Sequence, residues 1–188
     1  MKIFINPGHD CILDSGAVNQ EYNLRECDVA ARIGEKLAYY LNEAGGYEVW
    51  IHQSDNLEGE GGYPYEGSVV GQANSNGFDL FISIHCNASG TGMGVGTETL
   101  VYGLGGASAR LAAHIQKSIV ELVGTVNRGI KARKDLAVLR DTSMPAVLVE
   151  TAFIDNEEDV QYLLYCTDDF ARAIAVGITD YVWEEQNE

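Results

Sequence analysis

Three short apolar segments of the chain each run directly into a polar cluster, and this pattern constrains the fold more than any other feature. The segments are residues 2–5, 80–84 and 146–149, and the polar residues that follow them include His9, His85 and Glu150. A short apolar run bounded by turn or polar residues is typical of a buried strand. In open α/β sheets, ligands bind outside the carboxyl ends of the strands, so we expect these three side chains to share one crevice.

Helical periodicity separates the predicted strands. Apolar residues recur at helical spacing from Val29 to Leu41, which predicts a helix that begins near residues 23–26 and ends at Ala44. The remaining predicted helices are 68–74, 107–123, 156–165 and 168–183, and the remaining predicted strands are 47–52, 97–102 and 136–139. We expect residues 54–67 to form a long exposed loop and residues 124–135 to be basic and irregular. The alternation predicts an α/β fold, a single-domain sandwich over 1–188 with a largely parallel, mixed central sheet flanked by helices.

Composition excludes several classes of protein. With 188 residues, 46% of them hydrophobic, the chain is long enough for a substantial core and is neither disordered nor membrane-spanning. The net charge of −16 disfavours binding to nucleic acid, whose phosphates would be repelled. No secretory signal is visible in the chain as given, so we expect a protein made in the cytoplasm or an excised catalytic domain.

Four cysteines are present, at positions 11, 27, 86 and 166. None belongs to a Cys-x-x-Cys pair, and a chain without a leader is expected to keep its thiols reduced. Free cysteine usually behaves as a small buried apolar residue. We therefore expect neither a disulfide nor a cysteine nucleophile.

The residues at the strand ends are suited to zinc chemistry. A catalytic zinc commonly takes three protein ligands from imidazole and carboxylate groups, which His9, His85 and Glu26 at the start of the first helix could supply. Glu150 is then the candidate for the base that takes a proton from water. Each residue has an ordinary alternative: a strand-end histidine can be structural, and Glu26 can simply favour the helix dipole. The chain has no His-Glu-x-x-His motif, so spacing alone does not establish zinc.

Several segments resemble the amidase-3 family of zinc-dependent N-acetylmuramoyl-L-alanine amidases, and the resemblance covers nearly the whole chain. The segments are NPGH at 6–9, DSGA at 14–17, RECDVA at 25–30, DLFISIHCNA at 79–88, VLR at 138–140 and MPAVLVET at 144–151. The resemblance implies one Zn²⁺ per chain held by His9, Glu26 and His85, with Glu150 as the catalytic glutamate. It also implies cleavage of bacterial peptidoglycan between N-acetylmuramic acid and the L-alanine of the stem peptide.

The chain departs from the family pattern at residues 65–70, YEGSVV, where members often carry an arginine. No wall-binding repeat follows, so targeting is expected from a separate domain, a partner or direct contact with peptidoglycan. Arg140 and Asn87 are candidate substrate contacts, and for Arg140 the alternative is a solvated surface residue. We expect a monomer. Two other functions stay open: a different zinc hydrolase, such as a carboxypeptidase or deacetylase, and a non-catalytic wall-binding module.

Overall fold

A computed structural model describes residues 1–59, 64 and 66–187 of the chain. Its main sheet has six strands: β1 (Lys2–Pro7), β4 (Glu48–Ile51), β5 (Leu80–Asn87), β6 (Thr97–Val101), β7 (Asn127–Ala132) and β8 (Ala146–Phe153). A second, two-stranded sheet is formed by β2 (Val18–Asn19) and β3 (Leu24–Arg25). The helices are α1 (Glu26–Ala44), α2 (Val69–Ser75), α3 (Gly106–Val123), α4 (Ala137–Arg140), α5 (Asp159–Tyr165) and α6 (Thr167–Asn187). None of these helices is long and apolar enough to cross a membrane.

The main sheet is mixed, with the strand order β4-β1-β5-β8-β6-β7. Strands β4, β1, β5 and β8 run parallel to one another, while β6 pairs antiparallel with β8 and parallel with β7. The three strands predicted to carry the functional residues are therefore adjacent and parallel at the centre of the sheet. The predicted fold class, a mixed α/β sandwich flanked by helices, is confirmed.

Helices cover both faces of the sheet, which explains why the central strands are almost continuously apolar. Ile5, Ile82 and Val147 belong to the larger core, which α1, α3, α5 and α6 complete. Phe81 and Leu148 belong to a smaller core with α2 and α4. Each fully buried side chain of this size contributes about 1.5–3 kcal/mol to stability. Side chains alternate between the two faces along a strand. His85 and Glu150 therefore lie on the same face as Phe81 and Leu148, which is the side of the smaller core.

Three predictions of local structure were wrong. Residues 137–139 lie in the single helical turn α4 rather than a strand, with Leu136 as its N-cap, and the Arg140 amide donates to the Leu136 carbonyl at 2.9 Å. A four-residue apolar run does not distinguish a strand from a turn of helix. Residues 124–135 contain the strand β7. As an edge strand of the sheet, it can carry basic side chains, and these obscured the strand pattern in the sequence.

The predicted exposed loop at 54–67 differs at its start, whereas residues 64, 66 and 67 are exposed as predicted. Residues 54–59 are half-buried, because Leu57 packs against the smaller core and its carbonyl accepts from the Val70 amide at 3.0 Å. Residues 60–63 and 65 of that loop lie outside the described residues. The first helix agrees with the prediction: α1 begins at Glu26 and ends before Gly45, which has a φ of 76°.

Candidate active site

The ends of the central strands carry the predicted site residues. His9 follows β1, while His85 and Glu150 lie on β5 and β8, where they are register partners on neighbouring parallel strands. Glu26 is the first residue of α1, and its carboxylate lies beside both histidines. The fold therefore brings together all four residues that the sequence predicts for the metal site and the catalytic base.

His9, Glu26 and His85 converge through specific atoms. His85 Nδ1 lies 2.9 Å from Glu26 Oε1, and His9 Nε2 lies 3.3 Å from the same oxygen. The two imidazole rings are nearly perpendicular, with centroids 5.1 Å apart. We call these three residues the strand-end cluster. One nitrogen from each ring and one carboxylate oxygen lie within 4.8 Å of one another, the spacing at which three side chains can hold one metal ion.

The Glu26 carboxylate is buried and held from several sides. Its side chain is only 5% exposed. Oε1 also accepts from the Cys86 amide at 3.0 Å, and Oε2 accepts from the Ala17 amide at 2.9 Å. Burial raises the pKa of Glu26, but the hydrogen bonds from His85 and His9 lower it by more. The net pKa of Glu26 therefore lies well below its ordinary value. Glu26 is therefore a fixed negative charge between two imidazoles.

His9 faces carboxylates on both sides of its ring. Its Nδ1 lies 3.3 Å from Asp14 Oδ2 and 3.6 Å from Asp55 Oδ1. The hydrogen bond to Glu26 raises the pKa of His9 to about 9, against the opposing effect of burial. His9 also has a φ of 61°, which is uncommon outside glycine and is typical of functional sites. A proton on His9 thus partly offsets the negative charge of this region.

The donor set of the strand-end cluster fits a zinc ion. Two imidazole nitrogens and one carboxylate oxygen are ligands that zinc accepts, and three protein ligands leave a position for water or substrate. The nearby carboxylates of Asp14 and Asp55 add negative charge that favours a divalent cation. The contacts of Asp14 and Asp55 with His9 Nδ1 resemble those by which carboxylates orient the ligand histidines of zinc sites.

Two glycines make room for the cluster, and the sequence analysis did not assign them this role. A Cβ atom at Gly8 would lie 2.2 Å from His85 Cε1, and one at Gly16 would lie 2.6 Å from Glu26 Oε2 and from His9 Cδ2. Gly16 also has a φ of 69°. Both lie in the segments 6–9 and 14–17 that carry the family resemblance, which is the only signal in the sequence that could have found them.

Glu150 differs from the strand-end cluster because its carboxyl group is not fully hydrogen-bonded. Its Oε2 is buried and has no hydrogen-bond partner among the described residues. Burial raises the pKa of Glu150 to about 7, although the neighbouring His85 opposes this shift. A buried, unpartnered carboxyl oxygen is costly unless it serves a purpose. A carboxyl group with a pKa near neutrality is suited to accept and return protons.

A cleft of about 90 Å³ opens beside the two histidines. Its floor includes Gly8, His9 and His85, and its walls include Leu57 and Val138. The α4 turn and residues 54–59, two of the three regions where the predicted secondary structure or exposure was wrong, therefore line the same cleft. The lining combines a few polar side chains, such as His9 and His85, with apolar ones, as in most small-molecule sites.

Comparison with known proteins assigns the family. The family model described as N-acetylmuramoyl-L-alanine amidase matches residues 3–180. The chain belongs to this family.

Among curated proteins, the N-acetylmuramoyl-L-alanine amidase LytC of Bacillus subtilis is 37% identical over 95% of this chain, which spans 35% of LytC. The endolysin of Bacillus phage SPP1 is 34% identical over 98% of this chain and 66% of its own length. The catalytic domain of CwlV from Bacillus (Paenibacillus) polymyxa has the same fold, with a TM-score of 0.83, 30% identity and coverage of 96% of this chain and 97% of that domain. The chain thus spans about a third of LytC and two thirds of the endolysin.

The two candidate substrate residues of this amidase-family chain lie at the margins of the site. Arg140 ends α4 and already pairs with Glu58 and Asp141, with Nε 3.0 Å from Asp141 Oδ1. A peptide carboxylate would have to compete with these partners. Asn87 ends β5, and its Nδ2 donates to Glu98 Oε1 at 3.2 Å.

Glu98 is a further charged residue that the sequence analysis missed. It lies opposite Glu150 on β6 and is 7% exposed. Its Oε2 accepts from Arg128 Nε at 2.6 Å and from Lys131 Nζ at 2.5 Å. Burial raises the pKa of Glu98, but these two cations lower it more, so its net pKa is depressed. Part of the basic segment 124–135 therefore neutralises a buried carboxylate next to the site.

Proposed function

We propose that this chain is a peptidoglycan hydrolase that cleaves the amide bond between the lactyl carbonyl of N-acetylmuramic acid and the amine of L-alanine. The observation that carries the proposal is the strand-end cluster beside Glu150, whose buried Oε2 has no partner among the described residues, in a chain of this family. A pure wall-binding module has no need of an unpartnered buried carboxyl group. Glu150 therefore favours an enzyme over a non-catalytic wall-binding module.

We infer that one Zn²⁺ per chain would be held by His9 Nε2, His85 Nδ1 and Glu26 Oε1. When bound, zinc supplies Lewis-acid catalysis: it lowers the pKa of water to about 7 and polarises a carbonyl group. The amides of Cys86 and Ala17 hold the Glu26 carboxylate in place. Asp14 and Asp55 flank the outer nitrogen of His9 and would fix the orientation of its ring.

Glu150 is assigned the proton transfers. Its carboxylate would take a proton from the attacking water and later donate it to the departing amine of L-alanine. A pKa near 7 suits both steps, because the group must be ionised before the reaction and protonated during it. Leu57 and Val138 line the cleft beside His9 and His85 and would pack against the substrate and exclude bulk water. Asn87 and Arg140 are proposed as substrate contacts at its edges.

The whole of 1–188 is proposed to act as a single, monomeric catalytic domain. With a net charge of −16, the chain has no general attraction to anionic surfaces. We therefore propose that peptidoglycan is recognised through the cleft, and that any further targeting comes from a separate domain or partner. The enzyme would act on the wall after export or cell lysis.

Mass spectrometry of digested peptidoglycan tests the proposed reaction. The amidase should release stem peptides with a free L-alanine N-terminus and leave the glycan chains intact. A chelator should abolish this release and added zinc should restore it. A carboxypeptidase would instead shorten the peptides at their C-termini, and a deacetylase would remove acetyl groups from the sugars. Either product pattern without free L-alanine, or no product at all from the zinc-loaded protein, would contradict the proposal.

A further inference from the structure

Two cysteines that are 16 positions apart in the sequence meet beside the strand-end cluster. Cys11 lies in the loop after β1 and is exposed, whereas Cys27 is the second residue of α1 and is buried. Their Sγ atoms are 2.9 Å apart. A disulfide bond is about 2.05 Å long, so the two sulfur atoms need to approach each other by less than about 1 Å. We propose that Cys11 and Cys27 are a redox-active thiol pair that closes to a disulfide, against the expectation from the sequence that neither a disulfide nor a cysteine nucleophile is present. This inference does not depend on the proposed function.

The geometry favours a disulfide over a second metal site at the same place. Among the described residues, Asp28 is the only carboxylate that contacts both thiols, with Oδ1 3.4 Å from Cys11 Sγ and 3.8 Å from Cys27 Sγ. Its oxygens are already paired with Arg25, at 2.7 Å from Nε and 2.9 Å from the terminal nitrogen. Two thiolates on a tetrahedral zinc would also stand about 3.8 Å apart, from a zinc–sulfur distance of about 2.3 Å.

The loop that the disulfide would close carries contacts to the strand-end cluster. Asp14 lies beside His9, and the Ala17 amide donates to Glu26. The ends of the loop are tied to the same cluster, because Cys11 follows His9 by two positions and Cys27 follows Glu26 directly. A covalent link between its ends would restrict the unfolded chain and hold this loop against α1.

The difference in exposure sets the order of the chemical steps. The thiolate of the exposed Cys11 attacks a small-molecule disulfide, RSSR, and forms a mixed disulfide with release of the first RSH. The buried Cys27 then attacks the Cys11 sulfur and releases the second RSH. Two cysteine thiols are oxidised and one RSSR is reduced to two RSH, which carry away both thiol protons.

Peptide mapping tests the proposal directly. The zinc-loaded protein is incubated with oxidised glutathione, alkylated in acid-quenched, denaturing conditions and digested with trypsin. Cys11 and Cys27 fall in different tryptic peptides, residues 3–25 and 26–32, and neither peptide contains another cysteine. We expect these two peptides to appear as one disulfide-linked species. The oxidised protein should also unfold at a higher temperature than the reduced protein.

Three variants distinguish the pair from general thiol oxidation. Cys11→Ser should abolish the linked species and leave Cys27 unmodified, because Cys27 is buried. Cys27→Ala should instead accumulate glutathione on Cys11, since the second step is blocked. Cys166→Ser, the matched control at a cysteine outside the pair, should form the link normally. Glutathione on Cys11 of the wild-type chain without a link, or a second zinc per chain that disappears in Cys11→Ser, would overturn the proposal.

Discussion

In the described part of the chain, a histidine contacts a glutamate in two clusters, which differ in burial rather than in distance. In the strand-end cluster, His9 and His85 lie 3.3 and 2.9 Å from Glu26. On the surface of α3 and α6, His114 Nε2 lies 2.5 Å from Glu184 Oε2, which is closer still. The Glu184 side chain is 44% exposed, however, whereas that of Glu26 is 5% exposed. We call the second pair the helix-face pair.

The contrast shows that a short histidine–carboxylate distance does not by itself mark a site. Exposed ion pairs contribute little, because water solvates both charges when the pair is broken. Glu26 has no such alternative, and two imidazoles and two backbone amides surround it instead. Burial of a charge is costly unless it is fully paired, so the strand-end cluster must provide that pairing or hold a cation. The helix-face pair therefore supplies controls for substitutions in the cluster and at Glu150.

Removal of a proposed metal ligand should have the largest effect. His85→Ala is expected to lose nearly all bound zinc, and with it the hydrolysis of peptidoglycan. His114→Ala should retain both, because its partner Glu184 stays solvated. Elemental analysis of the purified variants gives the zinc content per chain. A His85→Ala protein that kept its full zinc would remove His85 from the ligand set, and zinc loss in His114→Ala would make the helix-face pair the better candidate.

Loss of the proposed base should reduce activity without removing zinc. Glu150→Gln keeps the shape of the side chain but cannot take up a proton, so turnover should fall by about 10²–10⁴-fold. The matched control, Glu184→Gln, changes a carboxylate of the helix-face pair and should turn over normally. Rates on purified peptidoglycan and zinc content are measured together. If Glu150→Gln lost its zinc as well, Glu150 would be a ligand, and the role of Glu26 would need to be reassigned.

The sequence was sufficient to predict which residues gather at the strand ends, because apolar runs and helix starts are local patterns. His9, His85 and Glu150 each follow or end such a run, and Glu26 begins a strongly periodic helix. The site assignment itself drew on the family resemblance, since two histidines and two glutamates have no diagnostic spacing here.

Other features depend on contacts between distant segments and leave no local pattern. The Cys11–Cys27 contact forms because the loop after β1 folds back on α1. The two cysteines are not in a Cys-x-x-Cys pair, so their spacing does not predict the contact. Glu98 is buried only because β7 supplies Arg128 and Lys131 to neutralise it. Turn propensity explains a glycine at position 16, but the Glu26 and His9 side chains that exclude a Cβ there belong to the tertiary structure.

A change at Gly16 should have an intermediate effect on the cluster. Gly16→Ala places a Cβ within 2.6 Å of Glu26 Oε2 and adopts a positive φ. Gly124→Ala is a matched control, because Gly124 has a φ of 82° and no atom near its absent Cβ. Both variants should lose about 1–2 kcal/mol of stability from backbone strain. Only Gly16→Ala should also bind zinc more weakly, by about 10–100-fold, as when other supporting groups of metal sites are changed.

Chelator competition at constant pH provides the zinc affinities of the two glycine variants. Equal affinities would mean that the site relaxes around the added methyl group, and that the close packing at Gly16 has no role in metal binding. A loss of affinity in Gly124→Ala as well would indicate a general effect of destabilisation rather than a local one.

The smallest expected effect is the pH dependence of the metal-free protein. The hydrogen bond to Glu26 raises the pKa of His9 from 6.5 to about 9. A raised pKa means that the folded state binds this proton more tightly than the unfolded state does. The contribution of His9 to stability is therefore complete below pH 6.5 and is lost as the pH rises through 9, with a slope of at most about 1.4 kcal/mol per pH unit.

Urea unfolding of the chelated protein between pH 7 and 9 measures this slope. The raised pKa of Glu150, about 7, gives its own loss of stability between pH 4.5 and 7, below this window. The depressed pKa of Glu26 acts only at acid pH. His9→Gln should therefore flatten the slope. If the slope stayed the same in His9→Gln, another group would titrate in this window, and the contact with Glu26 would not be what holds the proton on His9.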